Sequence, residues 1–169
     1  MKEILINWFM VNLGGKVSKE VIIFLISMVP ILELRGGLIA AGPALLDVPM
    51  WKAIPICVIG NIIPVPFILL LITPIFDWMK GTKRLRPLVE KLETKAMSKS
   101  EKIEKYEFWG LMTFVGIPLP GTGAWTGALI AALLGIRFWK AFLAVTLGVL
   151  IAMVIMTILS YTVLGTIFA

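Results

Sequence analysis

A glutamate and an arginine stand two residues apart in Glu33-Leu-Arg35, inside a stretch that is otherwise apolar. A carboxyl group in such surroundings is pulled two ways, since burial favours the neutral acid and a neighbouring guanidinium favours the carboxylate. Two readings are open. Either the two side chains neutralise each other as an internal ion pair, or Glu33 carries a proton or gates a substrate, and an anion competing for Arg35 helps it take up that proton. The fork of Arg35 matches phosphate or carboxylate. A second segment, Pro120-Gly-Thr-Gly-Ala-Trp-Thr-Gly127, offers a flexible backbone rich in N–H groups, the hydroxyls of Thr122 and Thr126, and the amphipathic ring of Trp125. An apolar helix follows each segment, so two helix N-termini, with unpaired N–H groups and partial positive charge, suit an anion.

The candidate binding residues are therefore Glu33, Arg35, Gly36 and Gly37 in the first segment and Gly121, Thr122, Gly123, Trp125 and Thr126 in the second. Asn61 is equally a site residue or a helix-to-helix hydrogen bond. The spacing of Gly123 with Gly127, and of Gly37 with Ala41, also fits close helix packing. No catalytic set is visible. The chain has no histidine and Cys57 is its one cysteine, so imidazole catalysis, the common zinc sites and an internal disulfide are excluded. Without an acid, base and nucleophile at workable spacing, neither an enzyme, a metal site nor a cofactor is expected.

These residues sit in a chain of 169 residues that is 59% hydrophobic and 15% charged, with mean hydropathy +0.98. Soluble domains run at roughly 45–50% apolar with glycine included and about 25% charged. The chain is read as one integral membrane domain, 1–169, crossing the cytoplasmic membrane several times. Fourteen of its charged residues fall between Lys80 and Glu107, nine of them basic, and the positive-inside tendency places this segment in the cytoplasm. Leu85, Leu88, Val89, Leu92, Ala96, Ile103 and Tyr106 recur there at helical spacing, which predicts an amphipathic helix over 80–107. It is a solvated linker at the membrane surface or a contact for a partner or anionic lipid. The net charge of +6 is local to this segment and does not point to nucleic acid. Residues 1–16 carry an apolar stretch too short to span, which predicts an interfacial helix rather than a cleaved signal peptide.

The two halves repeat. Gly36-Gly-Leu-Ile-Ala-Ala41 matches Gly127-Ala-Leu-Ile-Ala-Ala132 in five of six positions. After three extra residues in the first copy, Leu45-Leu46 matches Leu133-Leu134, Trp51-Lys-Ala53 matches Trp139-Lys-Ala141, and Gly60 matches Gly148. Each copy, 17–79 and 108–169, has an apolar stretch broken by proline and glycine, a second apolar arm and one long span. The arms are Val17–Pro30 with Gly36–Leu46, and Phe108–Ile117 with Gly123–Ile136. The spans are Ala53–Phe76, interrupted by Pro55, Pro64, Pro66 and Pro74, and the stretch from Ala141 onward. Arms of this length reach only ~15–21 Å as helix, about half a bilayer.

Each broken stretch is read as a re-entrant hairpin. The tips hold Pro30 to Arg35 and Pro118, Pro120 and Thr122; they are expected near the midplane, meeting each other. A hairpin returns to its starting side and the span then crosses, so the copies are inverted. The predicted fold is all-α integral membrane: an inverted repeat of two units, each a re-entrant helical hairpin plus a long transmembrane helix, joined by a cytoplasmic amphipathic helix. Arg137 and Lys140 then join the loop side, which holds eleven basic residues against four. A single proline-kinked crossing over Phe108–Ile136 would leave nine against six.

Pro30-Ile-Leu-Glu-Leu-Arg-Gly-Gly37 and Ile117-Pro-Leu-Pro-Gly-Thr-Gly-Ala-Trp-Thr-Gly-Ala128 resemble the paired signatures of the small multidrug export family, and the resemblance runs from about Glu20 onward. That family is similar, more remotely, to the DedA superfamily. This resemblance implies inverted-repeat hairpins and proton-dependent lipid handling, including return of polyprenyl-phosphate carriers, with Glu33 in the place of the acidic hairpin residue. The second copy has no tip arginine; its nearest basic residue is Arg137.

The expected function is proton-coupled movement of an amphipathic anion, a polyprenyl phosphate or phospholipid, between leaflets, with membrane lipid and protons as partners. A homodimer would supply helices that one copy lacks. The alternatives are an exporter of small hydrophobic cations, with Glu33 as counter-charge and Trp125 as a cation-π face, and a non-transporting membrane scaffold. The hairpin reading predicts that cysteines introduced at Lys105 and Arg137 react with an impermeant thiol reagent from the same face of the membrane. Labelling from opposite faces would establish the kinked crossing instead.

Overall fold

The computed structural model describes residues 11, 17–43, 45–119 and 121–163, and its regular elements are helices. The interfacial helix expected over 1–16, apart from Val11, and the tip residue Pro120 lie outside the described residues. The helices are α1 Lys19–Met28, α2 Glu33–Ala41, α3 Met50–Ile62, α4 Pro64–Lys80, α5 Arg86–Met97, α6 Glu101–Gly116, α7 Ala124–Leu133 and α8 Phe138–Thr157; α8 continues into a π-helical turn, Ile158–Val163.

Two stretches, Met50–Lys80 and Phe138–Thr162, are long and apolar enough to cross a bilayer, and only a third of each is buried. The exposed parts carry Phe67, Leu70, Leu71 and Trp78 on α4 and Leu143, Leu147 and Val154 on α8. A soluble core helix would cover such side chains; here they suit lipid. The described residues form an all-helical fold with two long apolar helices, the build of a membrane protein.

The described residues divide into two compact units. One holds those up to Ile63 together with those from Val149 onward, and the other is Pro64–Gly148. In the first unit α1 opens on Ser18, whose hydroxyl accepts from the Val21 N–H at 3.4 Å, with Glu20 in the favourable first turn. It stops at Val29, which is extended because the residue before a proline avoids the helical region. A tight turn sends α2 back along α1, with Gly36 against Ile26 and Gly37 against Ile23 and Ser27. The third helix, α3, runs parallel to α1, since Lys52 pairs with Glu20 at 3.6 Å and, toward the other end, Gly60 packs on Phe24 and Ser27. Ile22, Ile23, Ile26, Leu34 and Leu38 form the core between them. The turn after α8 closes the unit: Ser160 donates to the Leu38 carbonyl at 2.6 Å and Tyr161 to that of Val48 at 2.7 Å.

In the second unit α4 and α5 pack against α7, and α6 packs against α7 as the first arm of its own hairpin. The charged segment departs from the single amphipathic helix expected over 80–107. It divides into α5 and α6 at Ser98–Ser100, where the Ser98 hydroxyl donates to the Lys95 carbonyl at 2.9 Å. Short hydroxyl side chains compete in this way with the backbone ladder and favour helix ends. The apolar stripe is divided with it: Val89 and Ala96 are buried on α5 and Ile103 on α6, while Leu88, Leu92 and Tyr106 are exposed. A second interruption falls at Glu107, whose backbone leaves the helical region (φ 37, ψ −99) and whose carboxylate pairs with Lys140. Lys80 pairs with Glu93 at 2.6 Å, tying α5 to the end of α4.

One contact has the same form in both units. A Cβ on Gly60 would stand 2.9 Å from the Phe24 carbonyl and 3.2 Å from Ser27; one on Gly148 would stand 2.7 Å from the Met112 carbonyl and 2.6 Å from Val115. The residues met lie 36 and 33 positions earlier in each case. Gly60→Val and Gly148→Val should each lower the free energy of unfolding by about 1–3 kcal/mol, the usual cost of forcing extra atoms into a packed contact. Denaturant titration in micelles measures this, and an unchanged midpoint in either variant would show that its contact is not tight.

Candidate functional site

The first tip is built by the turn from Val29 to Leu32. The N–H groups of Leu32 and Glu33 both donate to the Val29 carbonyl, at 3.1 and 2.9 Å. Glu33 begins α2 with φ 52, a left-handed conformation unusual for a residue with a side chain. Such a conformation costs on the order of 1–3 kcal/mol and persists where the surroundings hold it, commonly at functional sites. Arg35 is the third residue of the same helix. Both side chains are buried, Glu33 at 5% exposure and Arg35 at 8%, and the Glu33 carboxylate acts electrostatically on the guanidinium. The two therefore interact, as both sequence readings require. The start of α2 favours the carboxylate but adds its own partial positive charge to that of Arg35. One carboxylate against one guanidinium and a helix N-terminus leaves the tip electropositive.

Gly36 and Gly37 serve the fold at this tip. A Cβ on Gly37 would collide with the Ser27 hydroxyl and lie 2.9 Å from Cys57 Sγ, and one on Gly36 would lie 2.7 Å from Leu32. Only a bare backbone lets α2 come this close to α1 and α3. Ser27, fully buried, donates to the Ile23 carbonyl at 2.7 Å. Asn61 is brought to the same level as Glu33. Gly37 faces Cys57, and α3 runs antiparallel to α2, so one turn forward from Cys57 corresponds to one turn back from Gly37. Asn61 is 2% exposed, and its Oδ1 has no hydrogen-bond partner among the described residues. An orphaned buried acceptor costs about 1–3 kcal/mol unless a donor arrives.

The second tip runs from Ile117, extended before Pro118 as Val29 is before Pro30, to Gly123. Gly121 has φ 77, and Gly123, which caps α7, has φ 138 and ψ −177, a region open essentially to glycine alone. The Gly-Thr-Gly spacing is thus a backbone requirement. The Thr122 hydroxyl lies 2.8 Å from the Ile117 carbonyl and 2.9 Å from that of Leu119, and it accepts from the Leu119 N–H at 3.3 Å. Those bonds hold the loop together. Trp125 and Thr126 occupy the first turn of α7, both half-buried, and Thr126 is the third residue of its helix as Arg35 is of α2.

Lys99 was not among the residues the sequence singled out. Its Nζ donates to the Gly121 carbonyl at 2.7 Å, across 22 residues, and so brings a cation from the charged segment to the second tip. No spacing or motif marks it among the nine basic residues of that segment; the absence of an arginine from this tip was the one available signal. Arg35→Met should lower stability, because it removes the positive charge that acts on the buried Glu33 carboxylate. Adding Glu33→Gln should recover most of that loss, which a double-mutant cycle of unfolding free energies measures; additive effects would show that the two side chains are independent. Gly123→Ala should destabilise more than Ala124→Gly in the same assay, since only the first changes a residue with positive φ.

Neither the curated proteins nor the solved structures contain a significant match to the chain. A family model does match, over residues 33–155, from the strained glutamate of the first tip into α8. That stretch is well over half of the chain and includes both tips, so the chain belongs to the family described as putative small multi-drug export protein.

Proposed function

We propose that the protein is a multi-pass transporter of the cytoplasmic membrane, not an enzyme, that moves an amphipathic anion between leaflets and couples the movement to protons through Glu33. The cargo class is a lipid phosphate, a phospholipid or a polyprenyl phosphate. Membership of an export family supports the transport role. The observation that carries the cargo class is the burial of Arg35 in the first turn of α2, where the helix N-terminus adds to its charge. An anion that shares Arg35 weakens the hold of the guanidinium on Glu33, and the buried carboxyl group then takes a proton more readily. Asn61 Oδ1, an acceptor at the same level, suits the O–H of a protonated phosphate or of Glu33 itself.

The architecture in this reading is the inverted repeat. With 10, 9 and 10 residues, α1, α2 and α7 reach only ~14–15 Å, as does the part of α6 after its break at Glu107, half of a ~30 Å hydrocarbon layer, so each hairpin enters and returns on one side. The matched glycine contacts of the two units support a duplicated plan. So does the position of Gly36 and Gly127, each the fourth residue of its second-arm helix.

Leaflet-resolved transport of labelled phosphatidic acid in proteoliposomes tests this reading. An imposed pH gradient should accelerate transport. Arg35→Ala should slow it by about tenfold or more, as expected for losing a charged hydrogen bond of about 1.5–3 kcal/mol. Glu33→Gln should abolish the response to the gradient. Transport of a lipophilic cation that tolerates Arg35→Ala and needs Glu33 would replace the anion by a cation. Full activity of Glu33→Gln with no gradient effect would remove the coupling.

A further inference from the structure

The second unit contains a cavity of about 710 Å³, within the size range of ligand sites. One wall comes from α6, with Tyr106 before its break at Glu107 and Trp109, Thr113 and Phe114 after it; the other is the turn of Ser98 and Lys99 with the tip residues Leu119 and Thr122. Trp109 is 65% exposed and Tyr106 55% exposed along it. Three of the lining hydroxyls are already committed: Ser98 donates to Lys95, Thr113 to Trp109 at 2.7 Å, and Thr122 within its own loop. Lys99 is different. One of its three N–H bonds is directed at the Gly121 carbonyl, and none of the ion pairs Lys52–Glu20, Lys80–Glu93, Arg86–Glu90 and Lys140–Glu107 involves it. The cavity therefore presents a wall of aromatic and aliphatic surface, the polar edges of Tyr106 and Trp109, and one cationic group, Lys99. A neutral molecule leaves that charge unmatched, and a cation is repelled by it. An amphiphile with one anionic end is satisfied at both.

We propose that this cavity binds a lipid phosphate, with the headgroup on Lys99 and the chain along Trp109, Phe114 and Ile117. The inference rests on the cargo class argued above and assigns it a site in the second unit, whose cation comes from the charged segment and not from the hairpin.

The test uses the full chain in phosphatidylcholine nanodiscs, titrated with phosphatidic acid or phosphatidylcholine carrying dibrominated chains. The readout is the tryptophan quenching that disappears in Trp109→Phe. Quenching by phosphatidic acid at a lower mole fraction than by phosphatidylcholine supports the site. Lys99→Gln keeps an N–H for the Gly121 carbonyl but removes the charge, so it separates support of the tip from recognition of the headgroup. It should raise the half-quenching fraction of phosphatidic acid by about tenfold, the loss expected of a charge-assisted hydrogen bond, whereas Lys99→Arg should retain the selectivity. Equal quenching of Trp109 by both lipids, or no change in Lys99→Gln, overturns the proposal. Transport without selective quenching counts against this site alone, and selective, Lys99-dependent quenching without transport leaves the site standing and counts against the transport function.

Discussion

A bend in the main chain interrupts the helical ladder and leaves N–H and C=O groups that need other partners, and both tips are organised around that constraint. At the first, the Val29 carbonyl accepts from two N–H groups and the next helix starts at once, at the expense of a left-handed Glu33. At the second, the loop is longer and the backbone alone does not suffice. The Thr122 hydroxyl serves Ile117 and Leu119, Lys99 serves Gly121, and two glycines take conformations that other residues avoid. The residues that look most like ligand donors in the sequence are thus partly occupied in holding the bend.

The two tips acquire positive charge by different routes. In the first, the guanidinium belongs to the hairpin and is balanced by a carboxylate two residues away, so its charge is fixed by local sequence. In the second, the ammonium arrives on a separate segment, through a turn between two helices. An arginine presents a planar fork and a lysine a compact point charge, so the two tips would recognise an anion with different geometric demands. Asymmetry of this kind is compatible with a duplicated backbone, because the matched glycine contacts constrain how helices approach each other and not which side chain reaches the bend.

Much of this was legible in the sequence because it is local. Prolines 30 and 118 end helices, Gly36, Gly37 and Gly123 mark close approach or special backbone, and the long apolar spans follow from composition. What stayed hidden is non-local or conformational. Lys99 sits in a run of charges that reads as solvated, and its partner lies 22 residues on. The breaks at Ser98–Ser100 and at Glu107 fall inside a stripe of helical period, where apolar spacing persists although the helix does not. Ser160 and Tyr161 reach α2 and the loop after it from more than 100 residues away, and nothing in Ile158–Val163 advertises that contact.

The first unit draws on two distant parts of the chain, which sets an order of events during synthesis. The ribosome delivers α1, α2 and α3 long before Ser160, which follows Leu38 by 122 residues. Until it emerges, the outer side of α2 and the Val48 carbonyl must be sheltered by lipid, by water or by the insertion machinery. The first hairpin is therefore made long before its latch and is among the last parts to be finished, and a nascent chain arrested before residue 149 should carry it unlatched.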